Sequence, residues 1–324
     1  MLFMFAYLHH QDACYPIGGS MPISQALAKR YLDLCGELYY DSAFDAYDIV
    51  DFNSLGNYTE IPTTAAWIRG QLNELNYPQK PLWIGDSFSI SDLVVNNGQL
   101  IVPTNNATRE RVIVVLKSIA DPKNLEYAAN LTWLREEMAR GLVKRVVVTV
   151  AVGILGINLG NLEDWKTNTP VVDALAVSGF GTSMFMGLMD TKLTGRTTAP
   201  RLPNFSQAGK ARPAYYAMQL IAHEIKDFTS IEKFDLQESV WTYRFEVSSS
   251  QLWVLWYDDG ELKLSSDAIP TTTVKIPWVG KTALITITPP RDQEKQPETQ
   301  IVTVSNNLLN LLLDVTTIYI QPEP

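Results

Sequence analysis

Cysteine and histidine are scarce. The 324 residues hold two cysteines, Cys14 and Cys35, and three histidines, His9, His10 and His223. Two thiols are too few for a disulfide scaffold or a zinc knuckle, and they leave open one bridge or two buried thiols. No HExxH or similar metal-binding spacing occurs, so neither a catalytic metal nor another cofactor is expected. Basic clusters are also missing: 26 Lys and Arg stand against 35 Asp and Glu, a net charge of −9. Phosphate backbones need clustered cations, which argues against nucleic acid as a partner. Long apolar runs are absent too. Met1–Leu8 has no basic flank and no small-residue cleavage site, so it does not read as a signal peptide. The longest charge-free stretch, Val146–Leu162, is interrupted by Gly153, Gly156, Asn158 and Asn161. Neither stretch resembles the roughly 20 apolar residues of a membrane span, and no membrane partner is expected.

What is present is enough chain for two domains with a large core. The 8 Trp and 14 Tyr combined with acidic charge suit a neutral, polyhydroxylated ligand. Four Asn-X-Ser/Thr triplets, at Asn57, Asn106, Asn130 and Asn204, matter only if the protein is secreted by a glycosylating cell.

Periodicity gives the order of elements. Leu2–Leu8 reads as a buried strand ending in His9 and His10. Ser24–Tyr40 reads as a helix capped by Ser24, with Leu27, Tyr31, Leu34 and Leu38 on one face. Tyr47–Phe52 is a strand with the polar exit Asn53–Tyr58, Thr63–Leu75 a helix, and Leu82–Ile84 a strand buried on both faces. That alternation predicts parallel strands joined by helical crossovers. Helices are expected over Ala107–Ser118, Asn124–Ala139 and Arg212–Ile225. Val146–Ile154 reads as the next buried strand, Ser178–Asp190 as an apolar loop or short helix, and Thr191–Pro203 as a surface loop. After Phe228 the pattern alternates: Val240–Val247, Gln251–Tyr257, Thr272–Ile276, Ala283–Thr288, Thr299–Val304 and Thr316–Ile320 read as strands of an antiparallel sandwich. The predicted units are residues 1–229, with a lid-like insertion at about 90–145, and residues 230–324.

One stretch organises the rest: Lys80-Pro-Leu-Trp-Ile-Gly-Asp86. Asp86 stands where a parallel strand leaves its sheet, the position at which β/α barrels keep their chemistry. Its other reading is a cap on the following turn. Lys80–Asp86 resembles the seventh barrel strand of clan A glycoside hydrolases, which ends in the nucleophile Glu. Asp48–Ser54 resembles their sixth strand, Arg212–Leu220 their last barrel helix, and Trp253–Gly260 the first hairpin of their appended sandwich. The resemblance implies an α/β fold, part of a TIM-type (β/α)8 barrel followed by an antiparallel β-sandwich. It also implies action on a polysaccharide or oligosaccharide, and it favours an extracellular location. Two departures stand out. The nucleophile position holds Asp86 rather than Glu, and no Asn-Glu-Pro supplies the family's acid/base. The chain corresponds to the family from about the fifth strand onward, so the expectation is a missing N-terminal half, or self-association through the open edge of Leu2–Leu8.

Glycoside hydrolysis needs two carboxyl groups flanking the bond, roughly 5 Å apart for retention and about 6.5–9.5 Å for inversion. Asp in place of Glu withdraws the oxygen by about one bond. Glu60, Asp92 and Glu163 are the candidate second carboxylates, each also readable as a solvated loop acid. Trp165 beside Glu163 can stack on a sugar face or pack the barrel rim. Asn53, Asn57 and Tyr58 share a strand exit and can donate to sugar hydroxyls. His10 can face the cleft or bond within the rim, and Trp83 completes the expected substrate-binding set. Ser87 and Ser89 lack a G-x-S-x-G elbow, which argues against an esterase. Two functions therefore compete: a glycoside hydrolase, and a non-catalytic carbohydrate-binding or structural module derived from that fold.

Overall fold

The computed structural model describes residues 49–54, 57–74, 76–87, 95–96, 99–100, 106–159, 161–163, 187–192, 207–248, 250–289 and 297–323. The expected strand Leu2–Leu8, the helix Ser24–Tyr40, His10 and Trp165 lie outside the described residues, as do the side chains of Asp86 and Glu163.

Three strands form a parallel sheet: β1 (Val50–Ser54), β2 (Leu82–Ser87) and β5 (Gly156–Leu159), in the order β1-β2-β5. Helix α1 (Ile61–Glu74) crosses from β1 to β2, and Ile61, Ala65, Ile68 and Leu72 recur at helical spacing to form its buried face. In β2, Leu82 and Ile84 are fully buried while Trp83 between them is 36% exposed. The strand is thus covered on one face only, not on both. Its apolar run reads as double-sided because Trp counts as apolar whichever way it points.

The largest difference from expectation lies between β2 and β5. Helix α2 (Asn106–Ala120) is followed by α3 (Tyr127–Ala151), a single 25-residue helix. Val146–Ala151, expected as a strand, is the last part of α3, and the parallel strand begins only at Gly156. Every residue from Leu142 to Thr149 is buried: Leu142, Val143, Lys144, Arg145, Val146, Val147, Val148 and Thr149. A helix buried all round has no amphipathic period, so a β-branched run in it looks like a strand, and tertiary burial overrides the weak propensity of Val. Val112, Leu116, Leu134, Met138 and Val143, from α2 and α3, share one hydrophobic cluster with Leu82 and Ile84.

Two smaller groups break the parallel pattern. Strands β3 (Val95–Asn96) and β4 (Gln99–Leu100) form an antiparallel hairpin. Strands β6 (Asn161–Glu163), β7 (Gly187–Lys192) and β8 (Gln207–Ala211) form a mixed sheet, so the end of the expected Ser178–Asp190 loop is strand. Helix α4 (Pro213–Glu224) starts with Pro in its first turn, where the missing N–H costs nothing.

Beyond α4 the chain is antiparallel. Six strands pair in the order β14-β13-β16-β11-β10-β9: β14 (Glu298–Thr303), β13 (Thr282–Ile287), β16 (Ile318–Pro322), β11 (Ser250–Tyr257), β10 (Val240–Val247) and β9 (Phe228–Phe234). One face of this sheet meets the pair β12 (Thr272–Pro277) and β15 (Leu308–Leu313), with Trp253, Leu255, Ile285 and Ile320 buried against Val274, Ile276, Leu309 and Leu311. The other face, Tyr243, Phe245, Val254, Trp256 and Tyr319, joins the cluster built around α3 and α4. Trp253 and Trp256, three apart, face opposite sides, as strand alternation requires.

Candidate functional site

The site builds from the register of β1 on β2. Val50 pairs with Leu82, Asp51 with Trp83 and Phe52 with Ile84; the register then shifts, and Asn53 pairs with Asp86 and Ser54 with Ser87. Gly85 is the extra residue of a β-bulge, a device that re-aims a strand end. Glycine is needed there, since a Cβ would run into the Asp51 carboxylate. Gly156 has the same role one strand over: a Cβ on it would enter the Trp83 ring, coming 2.7 Å from Cη2. Asn158 Nδ2 donates to the Gly85 carbonyl at 3.1 Å. The sheet face turned away from the helices therefore carries Asp51, Asn53, Trp83 and Asn158, a carboxylate, two amides and an indole, of which Asp51 and Asn158 are exposed and Asn53 is half-buried.

The opposite face is anchored by a cation. Arg145, fully buried on α3, donates from Nη1 to the Ser54 carbonyl at 3.2 Å and to Ser87 Oγ at 2.9 Å. Ser87 Oγ in turn donates to the Ser54 carbonyl at 2.9 Å. This triangle ties the carboxyl-terminal ends of β1 and β2 together directly beside the bulge. Arg145, Asp51 and Asn158 were not singled out from the sequence. Arg145 left one legible signal, a cation opening a Val-rich run that had to be satisfied somewhere.

The predicted residues separate into two places. Asn53 and the backbone of Asp86 are adjacent at the rim, and Trp83 lies lower on the same sheet. Glu163 belongs to β6, whose sheet is not the one that holds Asp86. Asn57 is engaged locally, its side chain accepting from the Thr59 N–H at 3.1 Å. Tyr58 is placed in the seam with the six-stranded sheet, where it opens a single 3-10 turn, Tyr58–Glu60, that buries its ring. Its hydroxyl donates to Asp258 Oδ2 and accepts from Trp256 Nε1 at 2.9 Å. Lys144 Nζ lies 3.4 Å from the same Asp258 oxygen and 5.4 Å from the Tyr58 ring centroid.

The seam is electrostatically tuned. Burial, then the charge of Asp258, pushes the Tyr58 hydroxyl well above the usual phenol range, so it stays protonated as a donor. Burial alone would raise Asp258. The Lys144 charge and the hydrogen bonds from Tyr58 and the Gly260 N–H outweigh it and hold the carboxyl below the usual range. Among the described residues no group of three His, Cys, Asp or Glu could hold a metal, and no helix is long and apolar enough to cross a membrane.

No protein-family model matches the chain, and no curated protein matches it. Among solved structures the chain is similar in fold to several glycoside hydrolases. A 4-O-alpha-L-rhamnosyl-beta-D-glucuronidase from Fusarium oxysporum aligns at 9% identity over 93% of this chain and 57% of that one, with a TM-score of 0.45. A glucosidase from Croceicoccus marinus aligns at 9% identity over 90% of this chain and 56% of that one, with a TM-score of 0.45. A GH30 endoxylanase from Clostridium papyrosolvens aligns at 10% identity over 93% of this chain and 70% of that one, with a TM-score of 0.34. The chain thus spans 57% of the length of the first of these structures.

Proposed function

We propose that this protein acts on a polysaccharide or oligosaccharide through carboxylate chemistry at the carboxyl-terminal rim of β1, β2 and β5, with Asp86 as the working carboxylate. In this reading the three parallel strands are part of a TIM-type barrel, and Asn53, Trp83, Glu163, Trp165 and His10 contact the sugar. The observation that carries it is the bulge at Gly85, which sets Asp86 opposite Asn53 at the strand ends, above a sheet face bearing an open indole ring. An indole offers an apolar face to a sugar ring while carboxylate and amide groups take its hydroxyls. For hydrolysis, Asp86 would attack the anomeric carbon or stabilise its positive charge, and a second carboxyl group would protonate the departing oxygen. Glu60, Asp92 and Glu163 are the candidates for that second group, and Asp51 on the same sheet face as Trp83 is a further one.

The specific observation favouring a non-catalytic, carbohydrate-binding role is the identity of Asp86 itself, one bond shorter than the Glu it resembles. Substitution separates the two. In an enzyme, Asp86→Asn abolishes hydrolysis with an unchanged unfolding midpoint, and Asp86→Glu raises activity by restoring reach. In a binding module, Asp86→Asn only weakens sugar affinity. If both variants leave turnover and affinity unchanged, Asp86 is a turn cap and the proposal fails.

A further inference from the structure

A cavity of about 570 Å³ opens at the seam, where the turn after β1 meets the ends of β9, β10 and β11. That size lies within the roughly 300–1,000 Å³ usual for small-ligand sites. Trp241 lines it. One face of the Trp241 ring stacks on Trp256, with centroids 5.8 Å apart and planes within 5°. These two residues are register partners across β10 and β11, so Trp256 approaches from one side of β10. Lys233 comes from β9, on the other side, and places Nζ 5.1 Å from the Trp241 centroid. The outer face of the ring is thus capped by a lysine whose side chain is 51% exposed and whose ion-pair partner, Asp235 at 3.4 Å, is 91% exposed.

Such a cap is weakly held. An exposed ion pair contributes about 0–1 kcal/mol and an exposed cation–π contact about 0.5–1 kcal/mol. The platform beneath is rigid, because Trp241 also meets the buried Tyr58 ring edge-on at 5.2 Å. Asp235, Glu238, Asp258 and Asp259 line the cavity. Lys233 pairs with Asp235, Lys144 with Asp258 and Lys263 with Asp259, so three of the four charges are balanced and the wall suits a neutral ligand. Its carboxylate oxygens accept hydrogen bonds from a ligand rich in hydroxyl groups.

We infer that this cavity is a second carbohydrate site, which takes one or two units of a neutral glycan by letting Lys233 swing aside and stacking a sugar ring on Trp241. Its choice of ligand class rests on the carbohydrate reading of the rim; its position does not. Asp258 gives the site a fixed wall, since Tyr58, Lys144 and the Gly260 N–H hold that carboxylate in place.

The test is calorimetric titration of the full chain with cellohexaose, xylohexaose and mannohexaose. At least one of these binds. Lys233→Ala, which uncovers the platform, tightens binding about two- to fivefold, the equivalent of the lost cation–π contact. Trp241→Leu weakens it by about tenfold or more, as truncating a stacked anchor does. Glu238→Gln, on the cavity wall and outside the aromatic stack, weakens binding with an unchanged melting curve, so a folding defect in the Trp241 variant does not decide the matter. In an Asp86→Asn or Trp83→Ala background, where binding at the rim is weakened, Lys233→Ala and Glu238→Gln keep the same effects. Absence of binding by all three glycans, or binding indifferent to both Lys233→Ala and Glu238→Gln, overturns the inference. Binding lost with Trp83→Ala but kept in the Trp241 and Glu238 variants removes the seam site and leaves the rim reading standing.

Discussion

Replacing Tyr58 by Phe removes one oxygen atom and should destabilise the fold by about 2–3 kcal/mol. The estimate follows from the two partners left behind. Trp256 is fully buried, and its Nε1–H loses the acceptor that now sits at 2.9 Å. An unsatisfied buried donor costs about 1–3 kcal/mol. Asp258 loses a donated hydrogen bond, and bonds to charged groups contribute about 1.5–3 kcal/mol. The carboxylate keeps Lys144 and the Gly260 N–H, and the variant no longer desolvates a hydroxyl, so the two terms do not add in full. Urea unfolding followed by circular dichroism measures the loss as a shift in midpoint at constant slope. The pH dependence is a second readout. Asp258 titrates below its ordinary value in the folded chain, so its contribution is complete above the unfolded carboxyl value of about 3.9 and fades as pH falls through the folded value. The gap between wild type and Tyr58→Phe should therefore narrow as pH falls below about 4 toward the acid limit of folding. A loss under about 0.5 kcal/mol at pH 7, below any of the magnitudes used, or a gap that does not change with pH, would refute this account of the seam.

Arg145→Met keeps the volume on α3 but strips the Ser54 carbonyl and Ser87 hydroxyl of a charged donor; a loss of about 2–3 kcal/mol and faster amide exchange at the ends of β1 and β2 are expected. Asn130 is buried, donates to Ser118 Oγ at 2.6 Å and accepts from Ser265, so Asn130→Ala should cost about 1–3 kcal/mol in thermal or urea unfolding. For the same reason, mass spectrometry of protein from a glycosylating host should find no glycan on Asn130 of the folded chain. Gly156→Ala should push the half-open Trp83 ring outward, shifting its fluorescence at a stability cost under about 1 kcal/mol, because the group that must yield is the far end of an exposed side chain. An unmoved ring in the variant's structure would count against the packing described for that face.

Part of the antiparallel sheet was legible from alternation: Val240–Val247 has the period of a half-buried strand and is a strand. Gln251–Tyr257 was legible from its apolar run and the turn that ends it. β9 and β15 escaped for opposite reasons. Thr229–Lys233 is mostly exposed and polar, while Leu308–Leu313 is too uniformly apolar to show alternation. Val146–Ala151 misled because enclosure on every side erases the helical period. At the site, the end of β2 at Asp86 was readable from Gly85 and the apolar run before it. The position of Tyr58 was not, since its partners Trp256 and Asp258 lie about 200 residues away and no local pattern announces them. Arg145 was hidden in the same way, as its acceptors belong to strands far earlier in the chain.

The continuity of one hydrophobic cluster from Leu82 and Ile84, through Leu134 and Val147 on α3, to Phe245, Trp256 and Tyr319 has a mechanical consequence. α3 acts as a common axle: the parallel sheet and the six-stranded sheet grip the same helix. A hinge between them would have to peel dry aromatic surface from that helix, so the two sheets cannot open and close around a ligand as jaws do. Heating should give one calorimetric peak rather than two, with damage to α3 felt at both ends of the molecule.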